Sequence, residues 1–183
     1  MKTIKEFIYE GLTKSYNQNN SLAEYLIINC DYKYIVKPLL EDNFENVVNI
    51  NSSNGIDFTC SNDEYQNIGI IYSPVYRKEH RIDLQPKLLN NDRFNLNKKA
   101  KDINYLAFIY DDKLCLANIS DIDIKNYSID VENVTPDMEF DLSNEQKDIY
   151  DKVYEIYDNL SSDEKNDKHF KKLEQFTDIQ SIL

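Results

Sequence analysis

At 183 residues and 41% hydrophobic composition, the chain is long enough to bury a core without disulfides or a structural metal. Its three glycines, Gly11, Gly55 and Gly69, exclude a glycine-rich phosphate loop, and its three scattered cysteines, Cys30, Cys60 and Cys115, read as reduced thiols and not as a zinc site or disulfide frame. The formal net charge of −12 is uneven: residues 1–76 carry 5 Lys/Arg against 10 Asp/Glu, residues 77–101 carry 8 against 3, and residues 102–183 carry 8 against 20.

In chain order, Ile4, Phe7, Ile8 and Leu12 have helical spacing. Ser21 caps a second helix, Leu22 to Cys30, with Glu24 as its capping-box partner. Lys37-Pro38 is expected to end regular structure, and 39–47 to form a short helix. Val47 to Ile50 reads as a strand, residues 51–55 as a turn, and Ile56 to Cys60 as a second strand with Asp57 set apart by alternation. Ile68 to Tyr72 is an apolar strand. A basic loop, Tyr76 to His80, leads into Arg81-Ile82-Asp83-Leu84-Gln85-Pro86-Lys87, whose period of two puts Asp83, Gln85 and Lys87 on one face. Ile103 to Tyr110 is the most apolar strand, Asp111-Asp112 is a tight turn, and Lys113 to Ile119 returns as a hairpin partner. Residues 120–143 read as irregular, with a strand near Ile129. Asn144 to Leu160 is an amphipathic helix striped by Ile149, Val153, Ile156 and Leu160, and a last helix buries Phe170, Leu173 and Phe176.

This order predicts one mixed α/β or α+β domain over 1–183, with a central sheet flanked by N-terminal and C-terminal helices and a helical appendage at 144–183. No run of about 18 apolar residues and no signal-peptide pattern is present, so no membrane association and a cytoplasmic location are expected.

Glu24 on a helix, Asp57 on an early strand and Gln85-x-Lys87 on a later one resemble, in that order, the PD-(D/E)XK nuclease superfamily. The run Asn104 to Leu116 is similar to the strand pair that follows the active-site lysine in that superfamily. The resemblance covers residues 20–122. It implies a nuclease-like mixed sheet, with Asp57 and Gln85 as Mg²⁺ ligands, Glu24 as an outer ligand, and Lys87 orienting water or stabilising charge. Hard oxygen donors suit Mg²⁺, and an ammonium beside a developing phosphate charge assists cleavage. Gln85 stands where the superfamily usually has an acid, and Pro86 removes a ladder donor between Gln85 and Lys87. The same residues have plainer readings: Glu24 as a cap, Asp57 as a turn-closing residue, Gln85 and Lys87 as a solvated strand face. Asp83, in phase with Gln85, is a substitute ligand.

Arg77, Lys78, Arg81, Arg93, Lys98, Lys99 and Lys101 are the residues expected to track a phosphate backbone of DNA or guide RNA, with Tyr72, Tyr76 and Phe94 able to stack. Salt bridges to the acidic helices are the alternative. Tyr150, Tyr154 and Tyr157 recur beside Asp148, Asp151, Glu155 and Asp158, which suits either a protein-binding face or packing of the last two helices. The small, Asn/Lys/Ile/Tyr-rich chain, opening Met1-Lys2-Thr3-Ile4-Lys5-Glu6-Phe7, looks like a phage or mobile-element product of a low-GC bacterium and is similar to a type II anti-CRISPR protein. That resemblance implies a CRISPR effector protein as partner and no cofactor for binding; the nuclease resemblance implies a Mg²⁺-dependent DNA endonuclease of homing or restriction type.

Overall fold

The computed structural model describes residues 28, 30–50, 56–83, 102–123 and 128–159. The chain divides into two compact units, one formed by Met1–Ile35 with Ser143–Leu183 and the other by Val36–Leu142. The class is mixed α+β, as the sequence predicts.

The larger unit opens with helix α1 (Lys37–Asn43) and continues through strands β1 (Glu45–Asn49), β2 (Phe58–Ser61), β3 (Asn67–Tyr72), β4 (Arg81–Asp83), β5 (Asp102–Tyr110), β6 (Lys113–Asn118), β7 (Ser128–Asp130) and β8 (Met138–Asp141). Among the described residues, six strands form one sheet in the order β1-β2-β3-β5-β6-β8. Only β3 and β5 pair in parallel; the other neighbours are antiparallel. A parallel pair needs a long crossover, and residues 73–101 supply it. These two strands lie mid-sheet, which is why they read as near-continuous apolar runs: Ile68, Ile70, Ile71, Leu106 and Phe108 are all buried.

The Asp111-Asp112 turn joins β5 to β6 with φ of 52° and 59°, the two left-handed residues that a type I′ hairpin requires. Aspartate tolerates that region better than most side chains. Gly69 stands beside Asn104 in the parallel register, and a Cβ at Gly69 would press into Asn104 Oδ1. Asn104 is buried, so this glycine makes room for a polar side chain inside the sheet.

The remaining two strands, β4 and β7, form a separate antiparallel pair. Each contributes one buried residue, Ile82 and Ile129, to a cluster with Ile71, Val75, Leu106, Phe108, Cys115, Ala117, Ile119 and Val131. Period-two alternation along β5 selects Leu106 and Phe108 for that face. The sheet also curls. Five strand spacings of about 4.8 Å would hold β1 and β8 roughly 24 Å apart in a flat sheet. Instead Phe44, at the entry to β1, and Phe140, on β8, meet edge to face with ring centroids 6.0 Å apart.

Cys60 and Cys115 are buried and all three thiols are free. Burial pushes Cys60 up to about 12 and Cys115 up to about 11, so neither is a nucleophile at neutral pH.

In the other unit, Ile28, Cys30 and Asp31 are helical and a π-helix spans Tyr32–Val36 before the chain enters α1. The helix therefore runs on through Lys37-Pro38, where the sequence suggested a stop. Proline is tolerated here because it occupies the first turn of α1. Helix α2 spans Asn144–Asp158. Ser143 starts it with a reciprocal capping box: Gln146 N–H donates to Ser143 Oγ at 3.1 Å and Ser143 N–H donates to Gln146 Oε1 at 2.9 Å. Its buried stripe is Ile149, Tyr150, Val153 and Tyr154. The Tyr154 hydroxyl donates to Asp31 Oδ2 at 2.9 Å, which satisfies a carboxylate that is only 1% exposed.

Strand β8 is absent from the sequence-based expectation, which left 120–143 irregular apart from a strand near Ile129. Its signal was a four-residue alternation of Met138 and Phe140 with Glu139 and Asp141, too short to separate from loop. The expected helices over 3–16 and 161–183, and the turn at 51–55, lie outside the described residues.

Candidate functional site

Asp57 sits at the entry to β2, where the chain runs between two partners. Its carbonyl accepts the Ile50 N–H at 2.8 Å, and its own N–H donates to Ile70 O at 2.9 Å. The side chain is half-buried, and Oδ2 accepts the backbone N–H of Tyr72 at 2.8 Å. This carboxylate therefore holds the end of β3, the strand paired with β2. Along that end β3 presents Ile70, Ile71 and Tyr72, all buried and none a carboxylate or an amine.

The other members of the expected metal set, Glu24, Gln85 and Lys87, lie outside the described residues. Asp83 is described and exposed, and its two oxygens receive the Arg81 guanidinium at 2.6 and 3.0 Å. Strand β4, which leads toward Gln85, pairs with β7 and not with the sheet that carries Asp57. Among the described residues no three His, Cys, Asp or Glu side chains converge on a common point. The described residues by themselves do not assemble a Mg²⁺ centre.

Where the basic segment is described, Arg81 is paired with a carboxylate and His80 with another. Tyr76 and Arg81 close the turn by exchanging backbone hydrogen bonds of 2.7 and 3.3 Å, and Arg81 lies over the Tyr76 ring, 5.5 Å from its centroid. That turn carries Arg77 and Lys78. It ends at His80, which adopts a φ of 51°. His80 Nδ1 meets Glu132 Oε1 at 2.5 Å, and its ring packs edge to face on Tyr110. Pairing of β4 with β7 sets Asp130 opposite Arg81. Asp130 in turn caps the turn at Val131–Asn133, accepting the Glu132 N–H at 3.0 Å and the Asn133 amide at 2.8 Å. Of the described cations of this stretch, Arg81 is thus held by Asp83 and stands opposite Asp130, and His80 is held by Glu132. Arg93, Phe94, Lys98, Lys99 and Lys101 lie outside the described residues. Tyr72 is 3% exposed and is not available to stack on a base.

On α2 the tyrosines and the acids exchange the places expected of a tyrosine-bearing docking face. Tyr150 and Tyr154 are buried, with ring centroids 4.3 Å apart, so they pack inward; the side chain of Tyr157 lies outside the described residues. The exposed residues of the helix include Glu145, Asp148, Asp151 and Glu155, with Lys152 the one exposed cation among them. Their spacing of three to four residues gathers them on one broad exposed face of the helix, away from the buried Tyr150 and Tyr154. From Glu145 to Glu155 this acidic ridge rises about 15 Å at 1.5 Å per residue. The sequence signal for it was present, since the acids fall out of phase with the apolar stripe, but the amphipathic tyrosines fit either side.

Among the described residues no helix is long and apolar enough to cross a membrane. No protein-family model matches the chain, and no curated protein does.

Proposed function

We propose that this chain is a non-catalytic binding protein on a nuclease-derived scaffold, an inhibitor of the anti-CRISPR kind that lodges its acidic surface in the basic nucleic-acid channel of a CRISPR effector nuclease. The observation that carries the reading is the ridge of α2, where Glu145, Asp148, Asp151 and Glu155 stand exposed on one face of a 15-residue helix. A row of carboxylates on a rigid rod offers a cationic groove the same regular negative charge that a phosphate backbone offers it. The net charge of −12 favours such an encounter. The scaffold part of the reading is supported by one helix, an antiparallel β1-β2-β3 meander and a crossover into a strand parallel to β3. The non-catalytic part is supported by Asp57, whose carboxylate bonds the Tyr72 N–H beside a strand end of apolar side chains. Arg77, Lys78, Arg81, Arg93, Lys98, Lys99 and Lys101 remain the side chains assigned to nucleic acid.

The test is a cleavage assay of a type II effector–guide complex with and without the purified chain. Inhibition is expected, together with direct binding that weakens as salt rises. The variant Glu145→Gln/Asp148→Asn/Asp151→Asn/Glu155→Gln should bind at least about tenfold more weakly, since losing a single close charge pair of about 1.5 kcal/mol already costs that much. Unimpeded cleavage and no binding would sink the proposal. Metal-dependent nicking by the chain itself, lost in Asp57→Ala, would establish the endonuclease instead.

A further inference from the structure

Three segments far apart in the chain meet at His80: the turn that precedes β4, the end of β5 and the turn at Val131–Asn133. The His80 carbonyl accepts the Val131 N–H at 3.0 Å, and its φ of 51° is a left-handed value in which Asn, Asp and His are enriched over other side chains. Residues other than glycine held in that region gather at functional sites. The ring is fixed as well as the backbone. Nδ1 meets Glu132 Oε1 at 2.5 Å, the Tyr110 ring packs edge to face with centroids 5.6 Å apart, and the Tyr110 hydroxyl lies 3.4 Å from both His80 Nδ1 and Glu132 Oε1. A carboxylate only accepts, so the Nδ1 proton points at Glu132. A neutral ring held this way carries its lone pair on Nε2. Among the described residues Nε2 makes no hydrogen bond, and the side chain is 44% exposed.

We propose that His80 is a phosphoryl acceptor, with Nε2 as the nucleophile and Glu132 as its positioning residue. The donor is a phosphoramidate or an acyl phosphate. Nε2 gives its lone pair to phosphorus, the P–N or P–O bond to the leaving group breaks, and the departing amine or carboxylate takes that electron pair. The Nδ1 proton stays in its bond to Glu132, whose negative charge offsets the positive charge that the ring gains as the new bond forms. Arg77 and Lys78, in the same turn as His80, supply cations for the phosphoryl oxygens. The acceptor is independent of the acidic ridge of α2, so the failure of one reading leaves the other standing.

The chain has two histidines, so the full-length variant His169→Gln leaves His80 as its single imidazole. Treated with potassium phosphoramidate or with acetyl phosphate, it should gain one acid-labile phosphoryl adduct by intact mass, placed on Nε2 alone by phosphorus NMR. The adduct should form roughly tenfold or more faster than on N-acetylhistidine, the factor that a carboxylate behind a histidine commonly supplies. Adding His80→Asn, whose side chain tolerates the left-handed backbone, should abolish the adduct. Adding Glu132→Ala instead should slow the reaction about tenfold and spread the product over both ring nitrogens, which the loss of a merely structural contact would not do. The proposal is overturned by an adduct that survives His80→Asn, or by a rate no greater than that of N-acetylhistidine. An unchanged rate in Glu132→Ala, or a product still confined to Nε2 there, overturns it as well.

Discussion

The six-stranded sheet and the β4–β7 pair sit in the same unit and share one apolar cluster, yet they are held by different means. In the large sheet, β3, β5 and β6 bury run after run of Ile, Leu and Phe. Each strand of the small pair has three residues and buries one of them, Ile82 or Ile129; the rest is polar fastening by Arg81–Asp83, His80–Glu132 and the Asp130 cap. A fully buried isoleucine contributes about 1.5–3 kcal/mol, whereas an exposed ion pair contributes about 0–1 kcal/mol. Even the small pair therefore owes its place to two apolar side chains, and its ion pairs choose the shape of the turn more than they stabilise it.

The hardest blow to the comparison is Phe108→Ala. Phe108 is 1% exposed in the shared cluster, so its truncation should cost about 3–5 kcal/mol in urea unfolding and should loosen both sheets together. Hydrogen exchange that opened the large sheet and left 81–83 protected would show that the small pair stands alone. Next comes Gly69→Ala, which forces a methyl group against Asn104 between β3 and β5. A cost of about 1–3 kcal/mol is expected, confined to the large sheet, and Asn104→Ala in the same chain should recover part of it. The smallest effect belongs to Glu132→Gln, which removes the partner of His80 on a pair about half exposed. It should shift stability by less than about 1 kcal/mol while increasing amide exchange across 77–80. A cost of several kcal/mol would reverse the ranking and make polar fastening the dominant force in the small pair.

Much of the large sheet was legible in the residues. The strands around Val47, Phe58, Ile70, Ile109 and Leu116 announce themselves by apolar runs and by alternation, and Asp111-Asp112 by the need for two residues that accept a left-handed backbone. Strand β8 was not legible, because four residues of alternation carry too little signal. The helix through Pro38 was misread because proline's usual effect is cancelled in the first turn of a helix. In the candidate site, the isolation of Asp57 along its strand was visible, but not its partner. The Tyr72 N–H that occupies it comes from the next strand, and only register brings the two together.

Composition and periodicity alone determined that this chain would be an acidic, mixed α+β protein with β5 its most apolar strand, since hydrophobic spacing along a strand or helix is a local property. Tertiary structure decided which acids meet the basic turn, by setting Asp130 opposite Arg81 and Glu132 against His80, and decided that Glu145, Asp148, Asp151 and Glu155 of α2, and not Tyr150 or Tyr154, face outward. Both outcomes depend on which distant segment arrives alongside. Coulomb energy and burial follow separation in space, and separation along the chain does not report it.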